Sequence, residues 1–331
     1  MKVLVTGVTG FFGGCLARGL AEAGHDVRGL VRPSSRWDGR PDGARTLAGD
    51  VTDEISVRRA VEGCDAVVHA AAFVKVWTKD RSTFDRVNVG GLGNVASAAK
   101  AGGIPLHYVS SFIALGPTDG ATFDEDTPRA SDSTHNDYER TKRDADLLAR
   151  RLAAEGDDIV RIYPGVLYGP GTITPGNHVV GTLLQHAQGK LPGMLGAGDR
   201  RLCLTFVEDA VAGVRAIVER KPPSPAYILG GDNRTMTDLF DAFAGASGVA
   251  PPKRRIPYGV ATALGWVLRR RAEWLGVEPE LTDEVVGIYR HEWAYSSRRA
   301  ERDLAYRVTP LEEGMRRTVD WMRRSGLLPQ A

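Results

Sequence analysis

Tyr138 and Lys142 are four residues apart in a segment, 138–152, whose pattern predicts an α-helix. Side chains at this spacing share one face of a helix, so the phenol and the ammonium group should lie together. A nearby cation favours the phenolate and brings a group that normally titrates near ~10 towards working pH. Such a tyrosine can exchange a proton with a carbonyl or an alkoxide. The pair alone also suits a solvated helix face, so its chemistry depends on the surrounding motifs.

Two adjacent hydroxyl groups, Ser110 and Ser111, close a predicted strand over residues 106–110. A hydroxyl at the carboxyl edge of a parallel sheet can hydrogen-bond a substrate oxygen beside Tyr138. The same hydroxyl can instead be satisfied by the backbone of the strand. The residues alone leave the choice between the two serines open.

A glycine-rich loop, Thr6-Gly7-Val8-Thr9-Gly10-Phe11-Phe12-Gly13, follows the first predicted strand and opens a helix. Gly7 permits a tight turn, Gly10 allows close approach of a pyrophosphate, and Gly13 lets helix and strand pack together. The helix N-terminus offers free N–H donors to phosphates. This loop predicts dinucleotide binding. The contacts expected from it are Gly7, Thr9, Gly10, Phe11, Phe12 and Gly13.

The end of the second strand, Leu30 to Ser35, bears on the choice of dinucleotide, because it has no carboxylate before Asp38. A carboxylate there would bind the ribose 2′-hydroxyl of NAD(H). Arg32 can instead pair with a 2′-phosphate and stack on adenine. The sequence therefore favours NADP(H) over NAD(H). If the cofactor is NAD(H), Arg32 is expected to be a solvated arginine on the surface.

Short β-branched runs alternate with helical patterns along the first half of the chain. Strands are predicted at 2–6, 27–31, 65–70, 106–110, 159–163 and 227–230, and helices at 13–23, 85–101, 138–152 and 179–188. This alternation predicts an α/β fold with a doubly wound parallel (Rossmann) sheet. Residues 1–164 and 206–231 are expected to form the NAD(P)-binding domain, and residues 165–205 and 232–331 a smaller, mostly helical substrate-binding lobe.

The composition limits the classes of function. With 331 residues, 42% of them hydrophobic, the chain can bury a large core, and a net charge of +2 gives no global attraction for nucleic acid. The three cysteines, Cys15, Cys64 and Cys203, cannot all pair, which suits a reducing compartment. The histidines lack ligand spacing, so no metal site is predicted. His69 is expected to be a packed core histidine, and the acidic run 124–126 a solvated loop.

The chain begins without a signal-peptide pattern, and its best apolar run, 258–268, is short and ends in three arginines. We expect this run to form a helix on the surface or packed in the second lobe. The expectation is a cytoplasmic protein without stable membrane insertion or a nucleic-acid partner, either a monomer or a homodimer.

Motifs spread over about half the chain carry a resemblance to a known family. They are the glycine loop, Gly49-Asp50-Val51-Thr52-Asp53, His69-Ala70-Ala71-Ala72, Asn88-Val89-Gly90-Gly91, Val109-Ser110-Ser111, Tyr138-Glu139-Arg140-Thr141-Lys142 and Tyr168-Gly169-Pro170-Gly171. Their order resembles the extended short-chain dehydrogenases/reductases of the NAD-dependent epimerase/dehydratase superfamily. Within it, the chain looks like the dihydroflavonol 4-reductase and 3β-hydroxysteroid dehydrogenase branch, and is similar to farnesol dehydrogenases and hopanoid-associated epimerase-like proteins.

The resemblance implies an oxidoreductase in which Tyr138 is the acid/base. It favours Ser111 over Ser110 because of its spacing to Gly116, and it gives Lys142 a second role on the nicotinamide ribose. Asn88 would steady the local backbone. The implied contacts are Asp50 and Val51 with adenine, Ala70, Ala71 and Ala72 on the ribose side, and Pro164, Gly165 and Val166 with the nicotinamide amide.

Nucleotide-sugar epimerases and dehydratases share these motifs. Only residues of the substrate-binding lobe can therefore distinguish such enzymes from an alcohol/ketone oxidoreductase. By resemblance, Leu202 stands where those enzymes carry a diphosphate-binding arginine, and Arg200 and Arg201 are out of register. An apolar residue there favours a hydrophobic alcohol or ketone, such as an isoprenoid, steroid, flavonoid or polyketide. Asn177 keeps the epimerase alternative open, and a non-catalytic NADP sensor is a third hypothesis that the intact Ser111, Tyr138 and Lys142 disfavour. The expected substrate contacts are Phe73, Trp77, Phe112 and Asn177.

Overall fold

Twelve strands and twelve helices make up the computed structural model, which describes residues 1–330. The strands β1 to β12 are Lys2–Thr6, Asp26–Val31, Arg45–Ala48, Ala66–His69, Leu106–Val109, Ile159–Pro164, Val166–Tyr168, Met194–Leu195, Arg201–Phe206, Ala226–Leu229, Asp232–Thr235 and Arg255–Ile256. The helices α1 to α12 are Phe11–Glu22, Glu54–Val61, Ser82–Phe84, Gly91–Gly102, Asp137–Ala154, His178–Ala187, Val207–Arg220, Met236–Ser247, Tyr258–Leu275, Asp283–Tyr289, Arg298–Leu304 and Leu311–Arg324.

The central sheet contains seven parallel strands in the order β10-β6-β5-β4-β1-β2-β3. Its inner strands are largely buried because helices cover both faces, and residues 3–5 of β1 are fully buried. The order reverses between β1 and β4, which is where ligands bind in sheets of this kind. The predicted doubly wound α/β fold is confirmed.

Two smaller sheets lie in the later part of the chain, one ordered β11-β9-β7 and the other pairing β12 with β8. Their residues share one apolar cluster with Tyr163 and Ile228 of the central sheet. The packing is therefore continuous from the central sheet into the segments around it. Within residues 1–330, no helix has the length and apolar character needed to cross a membrane, and no three metal-binding side chains converge.

In the first half of the chain, three elements differ from the sequence-based expectation. Strand β3 and helix α2 are present but were not predicted, because β3 is a four-residue edge strand with mostly exposed side chains and gives no apolar pattern. The helix expected over residues 85–101 begins with a π-helical turn, Asp85–Gly90, before α4. Turns of this type often mark functional positions.

The acidic run 124–126 is solvated at Asp124 and Asp126, as the sequence suggested, but not at Glu125. Glu125 is only 5% exposed, and its carboxylate accepts a hydrogen bond of 2.7 Å from the backbone N–H of Ile228 in β10. Strand β10 is at the edge of the sheet, so its outward N–H groups need an acceptor when a loop covers them. Glu125 supplies that acceptor and fastens the loop to the sheet.

We predict that Glu125→Ala lowers the free energy of unfolding by about 1 to 3 kcal/mol, because it leaves a buried N–H without a partner. Asp126→Ala is the control, since Asp126 is 78% exposed and pairs with Arg299 at the surface, an interaction worth less than about 1 kcal/mol. Urea unfolding measures both values. Equal losses for the two variants would contradict the role given to Glu125.

Candidate active site

The glycine loop joins β1 to α1 at the point where the strand order reverses. Gly7 has a φ of +78°, and a Cβ atom on it would lie 2.7 Å from the backbone nitrogen of Ala71. A Cβ atom on Gly13 would lie 2.2 Å from the Gly7 carbonyl oxygen. Both positions therefore require glycine. Gly10 caps α1 without a side-chain hydrogen bond, so the first N–H groups of the helix remain available to a phosphate.

The other residues expected from this loop contribute backbone more than side chain. The Phe11 ring is 2% exposed and packs beneath Gly171, and Phe12 packs against the core. Thr9 is partly exposed at the turn. Donors and close backbone approach without bulky side chains fit the pyrophosphate of a dinucleotide.

A hydrogen-bond chain fixes the neighbouring strand end to this loop. The Thr6 hydroxyl lies 2.8 Å from His69 Nδ1 and accepts a bond of 3.1 Å from the Ala71 N–H. Burial, with a smaller effect of Lys142, lowers the pKa of His69 to about 3. His69 is thus neutral and structural, as expected, and it sets the position of residues 70–72 at the carboxyl end of β4.

The expected adenine-side residues follow β2 and β3. Arg32 is exposed directly after β2. The Asp50 carboxylate accepts bonds from the backbone and hydroxyl of Thr52, at 2.9 and 2.8 Å, so its side chain is held within its own turn. Val51 is 8% exposed and packs against Gly91. The Arg32 side chain makes no hydrogen bond or salt bridge within residues 1–330, so its guanidinium is available to a ligand.

Ser111 and Tyr138 come together at the carboxyl edge of β5. Ser111 caps the short 3₁₀ helix Phe112–Leu115, and its hydroxyl accepts from the Ile113 N–H at 3.3 Å. Tyr138 lies in the first turn of α5, which Asn136 caps through a 2.8 Å bond to the Glu139 N–H. Burial raises the pKa of Tyr138 to about 12, and a hydrogen bond with the Ser111 side chain opposes that rise.

Lys142 lies one turn further along α5 with its side chain fully enclosed. Its Nζ is 3.4 Å from the Val109 carbonyl and 3.3 Å from the Ser110 carbonyl, and it is only 3% exposed. Burial lowers the pKa of Lys142 to about 8, against an opposing effect of Asp146. Two backbone carbonyls and no carboxylate therefore hold the ammonium group.

These values correct one sequence-based expectation. The spacing of Tyr138 and Lys142 suggested that the lysine would lower the pKa of the tyrosine, whereas the structure gives a raised pKa for the phenol. The reason is that the side chain is removed from water, and that the lysine ammonium is directed to the end of β5. Tyr138 is thus protonated around neutral pH.

Asn88 connects this helix to the loop after β4. Its Oδ1 accepts a 2.7 Å bond from the Phe73 N–H, and its Nδ2 donates to the Thr141 hydroxyl at 3.0 Å. Thr141 is the residue before Lys142. Asn88 lies in the π-helical turn Asp85–Gly90, which directs its amide into the interior. The steadying role implied by the resemblance thus has a direct geometric counterpart.

A second support, Arg129 with Glu139, has no counterpart in the sequence motifs. Arg129 donates to the Ile113 and Ala114 carbonyls at 3.3 and 3.2 Å and to the Glu139 carboxylate at 2.5 Å. Glu139 is fully buried beside Tyr138. This bridge joins the segment that begins at Ser111 to the start of α5, so it fixes the two hydroxyl-bearing segments relative to each other. Only tertiary structure reveals an ion pair of this kind.

The expected nicotinamide-side residues lie where β6 passes into β7. Pro164 ends β6, Val166 begins β7, and a Cβ atom on Gly165 would lie 2.4 Å from the Cys203 carbonyl oxygen. The backbone at this junction is consequently held against β9.

The residues expected to contact substrate have different packing partners. Phe73 packs edge-on against Phe84, with ring centroids 4.9 Å apart, and Phe112 packs against Trp293 at 5.6 Å. Trp77 is partly buried in the loop after β4. Asn177 is fully buried, where its Nδ2 donates to the Gly169 carbonyl at 3.2 Å. Phe73 and Phe112 directly flank site motifs, whereas Asn177 lies in the interior.

Leu202 is 6% exposed within the apolar cluster, as expected for a residue that does not clamp a charged group. Its neighbour Arg201 is bound to Glu292 at 2.8 Å. At the position where an epimerase would carry its diphosphate-binding arginine, β9 thus has a leucine. The neighbouring arginine of the strand is already paired with a carboxylate.

Known proteins similar to this chain were found by family profile, by sequence and by structure. Residues 3–230 match the profile of the NAD dependent epimerase/dehydratase family. The chain is 30% identical to a protein of Synechocystis sp. named "Putative dihydroflavonol 4-reductase", over 97% of this chain and 94% of that protein. It is 31% identical to 2-alkyl-3-oxoalkanoate reductase of Stenotrophomonas maltophilia, over 96% and 98%. The crystal structure of gox2253 aligns with a TM-score of 0.83 and 29% identity over 99% of each chain.

The buried ammonium of Lys142 leads to a prediction about stability. Because the folded state binds this proton more weakly than the unfolded chain, the charged lysine opposes folding below pH about 8, and the penalty fades as the pH rises towards 10.5. Lys142→Met should raise the free energy of unfolding by about 2 to 3 kcal/mol at neutral pH, with a smaller gain at alkaline pH, while activity is lost.

Lys79→Met, a change at an exposed lysine, is the control and should show no such dependence on pH. Chemical unfolding at neutral and alkaline pH measures the difference. A Lys142→Met variant less stable than the parent at neutral pH would contradict the assignment of a desolvated charge.

Proposed function

The chain belongs to the NAD dependent epimerase/dehydratase family of extended short-chain dehydrogenases/reductases, as its motifs predicted, and on this premise we propose that it reduces the ketone or aldehyde of a hydrophobic small molecule to the alcohol, reversibly, with NADP(H) preferred over NAD(H). The observation that carries the proposal is the partly buried Tyr138 beside Ser111 at the carboxyl edge of β5, where burial raises the pKa of the phenol to about 12. The names of two relatives, a 4-reductase and an oxoalkanoate reductase, describe reductions.

A reduced nicotinamide dinucleotide, when bound, would supply the hydride for the carbonyl carbon. Tyr138 donates its phenolic proton to the carbonyl oxygen, and the Ser111 hydroxyl hydrogen-bonds the same oxygen as negative charge develops on it. Lys142 would contribute through the nicotinamide ribose rather than through direct contact with the phenol, because its ammonium group is held at the Val109 and Ser110 carbonyls. In the oxidative direction the phenolate takes the proton back from the alcohol.

The residues fit a dinucleotide along the carboxyl edge of the sheet. The α1 N-terminus with Gly7, Gly10 and Gly13 would hold the pyrophosphate, and Lys142 with Tyr138 would hold the nicotinamide ribose. The backbone after β4 and the β6–β7 junction, residues 70–72 and 164–166, would enclose the remainder. Thr6 supports this arrangement because it fixes the Ala71 backbone beside Gly7.

The substrate class rests on the side chains around the site. Phe73 and Phe112 directly follow site motifs in the sequence, and buried Leu202 and carboxylate-bound Arg201 offer no charge to a sugar diphosphate. Desolvating a diphosphate without cationic partners is costly, whereas an apolar ligand gains from burial. A panel of apolar ketones and aldehydes should therefore support NADPH oxidation, and UDP-sugars should not.

One observation favours the second candidate, a nucleotide-sugar epimerase. The Asn177 Oδ1 is buried and has no hydrogen-bond partner among residues 1–330. A polar ligand that opened this region could satisfy it. Conversion of a UDP-sugar without net consumption of dinucleotide would establish this function and overturn the first.

Tyr138→Phe should lower the rate of carbonyl reduction by about 10²- to 10⁴-fold, because only the proton donor is lost. Cofactor affinity should stay nearly unchanged, since the ring and its packing remain. Steady-state kinetics and fluorescence titration with NADPH test the two parts. Ser111→Ala should be much more damaging than Ser110→Ala. Activity within a few-fold of the parent in Tyr138→Phe would exclude this residue as the proton donor.

Arg32→Ala should weaken NADPH binding by about 1.5 to 3 kcal/mol and leave NADH binding nearly unchanged, because the guanidinium would pair with the 2′-phosphate alone. Arg36→Ala, at an exposed arginine of the same loop, is the matched control. Titration with each dinucleotide gives the comparison. Equal weakening of both dinucleotides, or a parent that prefers NADH, would contradict the preference for NADP(H).

A further inference from the structure

Helix α9 leaves one apolar face uncovered. This face, the α9 stripe, consists of Val260, Leu264, Val267, Trp274 and Leu275, which are 58, 51, 53, 90 and 62% exposed. The spacing places them on one side of the helix. Ala261, Gly265 and Ala272 form a narrow buried line beside the stripe, and a Cβ atom on Gly265 would lie 2.5 Å from the backbone of Asp283 in α10. The helix is therefore anchored along this line and presents the stripe to the surroundings.

Basic residues accompany the stripe. Between residues 253 and 281 there are six lysines and arginines and three glutamates. Arg269 and Arg270 share Glu273, and the Arg270 guanidinium lies 5.6 Å from the Trp266 ring. Arg271 is exposed within the stripe itself, four residues after Val267 and three before Trp274, and no carboxylate pairs with it among the described residues. An apolar face thus carries an uncompensated positive charge.

We propose that the α9 stripe docks on an anionic lipid surface. Its apolar side chains would enter the boundary between headgroups and acyl chains, and Arg271 would extend to the lipid phosphates. Tryptophan and arginine are well suited to this boundary because each combines an apolar body with a polar end.

The position of Arg271 distinguishes this partner from a second copy of the chain. Packing two α9 stripes together would bring two copies of Arg271 into an apolar contact that contains no carboxylate. Burying unpaired charges in this way is strongly unfavourable. Lipid phosphates remove that cost, since they are negatively charged and lie at the depth that an arginine side chain reaches.

The C-terminal end of the stripe is connected to the candidate active site. Glu278, three residues after α9 ends, pairs with Lys75 at 2.6 Å in the loop after Phe73. Arg81, further along the same loop, pairs with Asp137, the residue before Tyr138. Docking would therefore bring the loop beside Tyr138 close to the lipid surface. An apolar substrate could pass from the lipid to the site, and this last step alone rests on the proposed function.

The docking is tested with the full chain and two kinds of vesicle, phosphatidylcholine alone and phosphatidylcholine mixed with phosphatidylglycerol. The protein should float with the mixed vesicles, with a blue shift of tryptophan fluorescence, and binding should weaken as salt is added. Leu264→Glu and Trp274→Glu should each reduce binding at least about ten-fold, and Arg271→Gln about five-fold on the mixed vesicles only.

Ile55→Glu is the matched control, because Ile55 is 61% exposed on α2, away from the stripe. It should bind as the parent does. Absence of binding by the parent, or equal binding by the parent and the stripe variants, would overturn the proposal. Sedimentation that shows a dimer for the parent and a monomer for Trp274→Glu would assign the stripe to a second copy instead. None of these readouts uses enzymatic activity, so they are independent of the proposed reaction.

Discussion

The ammonium group of Lys142 is the constraint on which the site depends. It is enclosed at the end of β5, where its partners are two backbone carbonyls, and burial lowers its pKa to about 8. A desolvated cation persists only where the surrounding structure holds it in place. The cap at Asn136, the Asn88 bridge to Thr141 and the Arg129–Glu139 ion pair all act on the first turns of α5. They keep Tyr138 and Lys142 in place relative to Ser111.

The second constraint is the close approach of backbone segments at the reversal of strand order. Gly7 and Gly13 are packed so closely against their neighbours that no side chain fits. The same packing leaves the first N–H groups of α1 without side-chain partners, which suits a phosphate ligand. A dinucleotide bound there would extend along the sheet edge to Lys142. The two constraints thus connect cofactor binding and proton transfer through one edge of one sheet.

Much of this could be predicted from the sequence because the signals are local. The spacing of Tyr138 and Lys142, the glycine loop and the strand–helix alternation each depend on neighbouring residues only. Properties that depend on burial or on distant contacts could not be predicted. The direction of the Tyr138 pKa, the buried Glu125 and the Arg129–Glu139 pair all arise from tertiary packing. The run 258–268 was expected to form a surface or packed helix, and α9 is both, because one face packs on α10 and the other is exposed.

The proposed proton transfer depends most directly on Tyr138 being protonated in the free protein, with a pKa raised to about 12. The difference in tyrosinate absorbance between the parent and Tyr138→Phe, recorded after rapid pH jumps, reports the ionisation of this one phenol. No difference should develop at neutral or mildly alkaline pH, and it should appear only as the pH approaches 12. A difference that is already complete between pH ~7 and ~9 would show a phenolate near working pH and contradict the account.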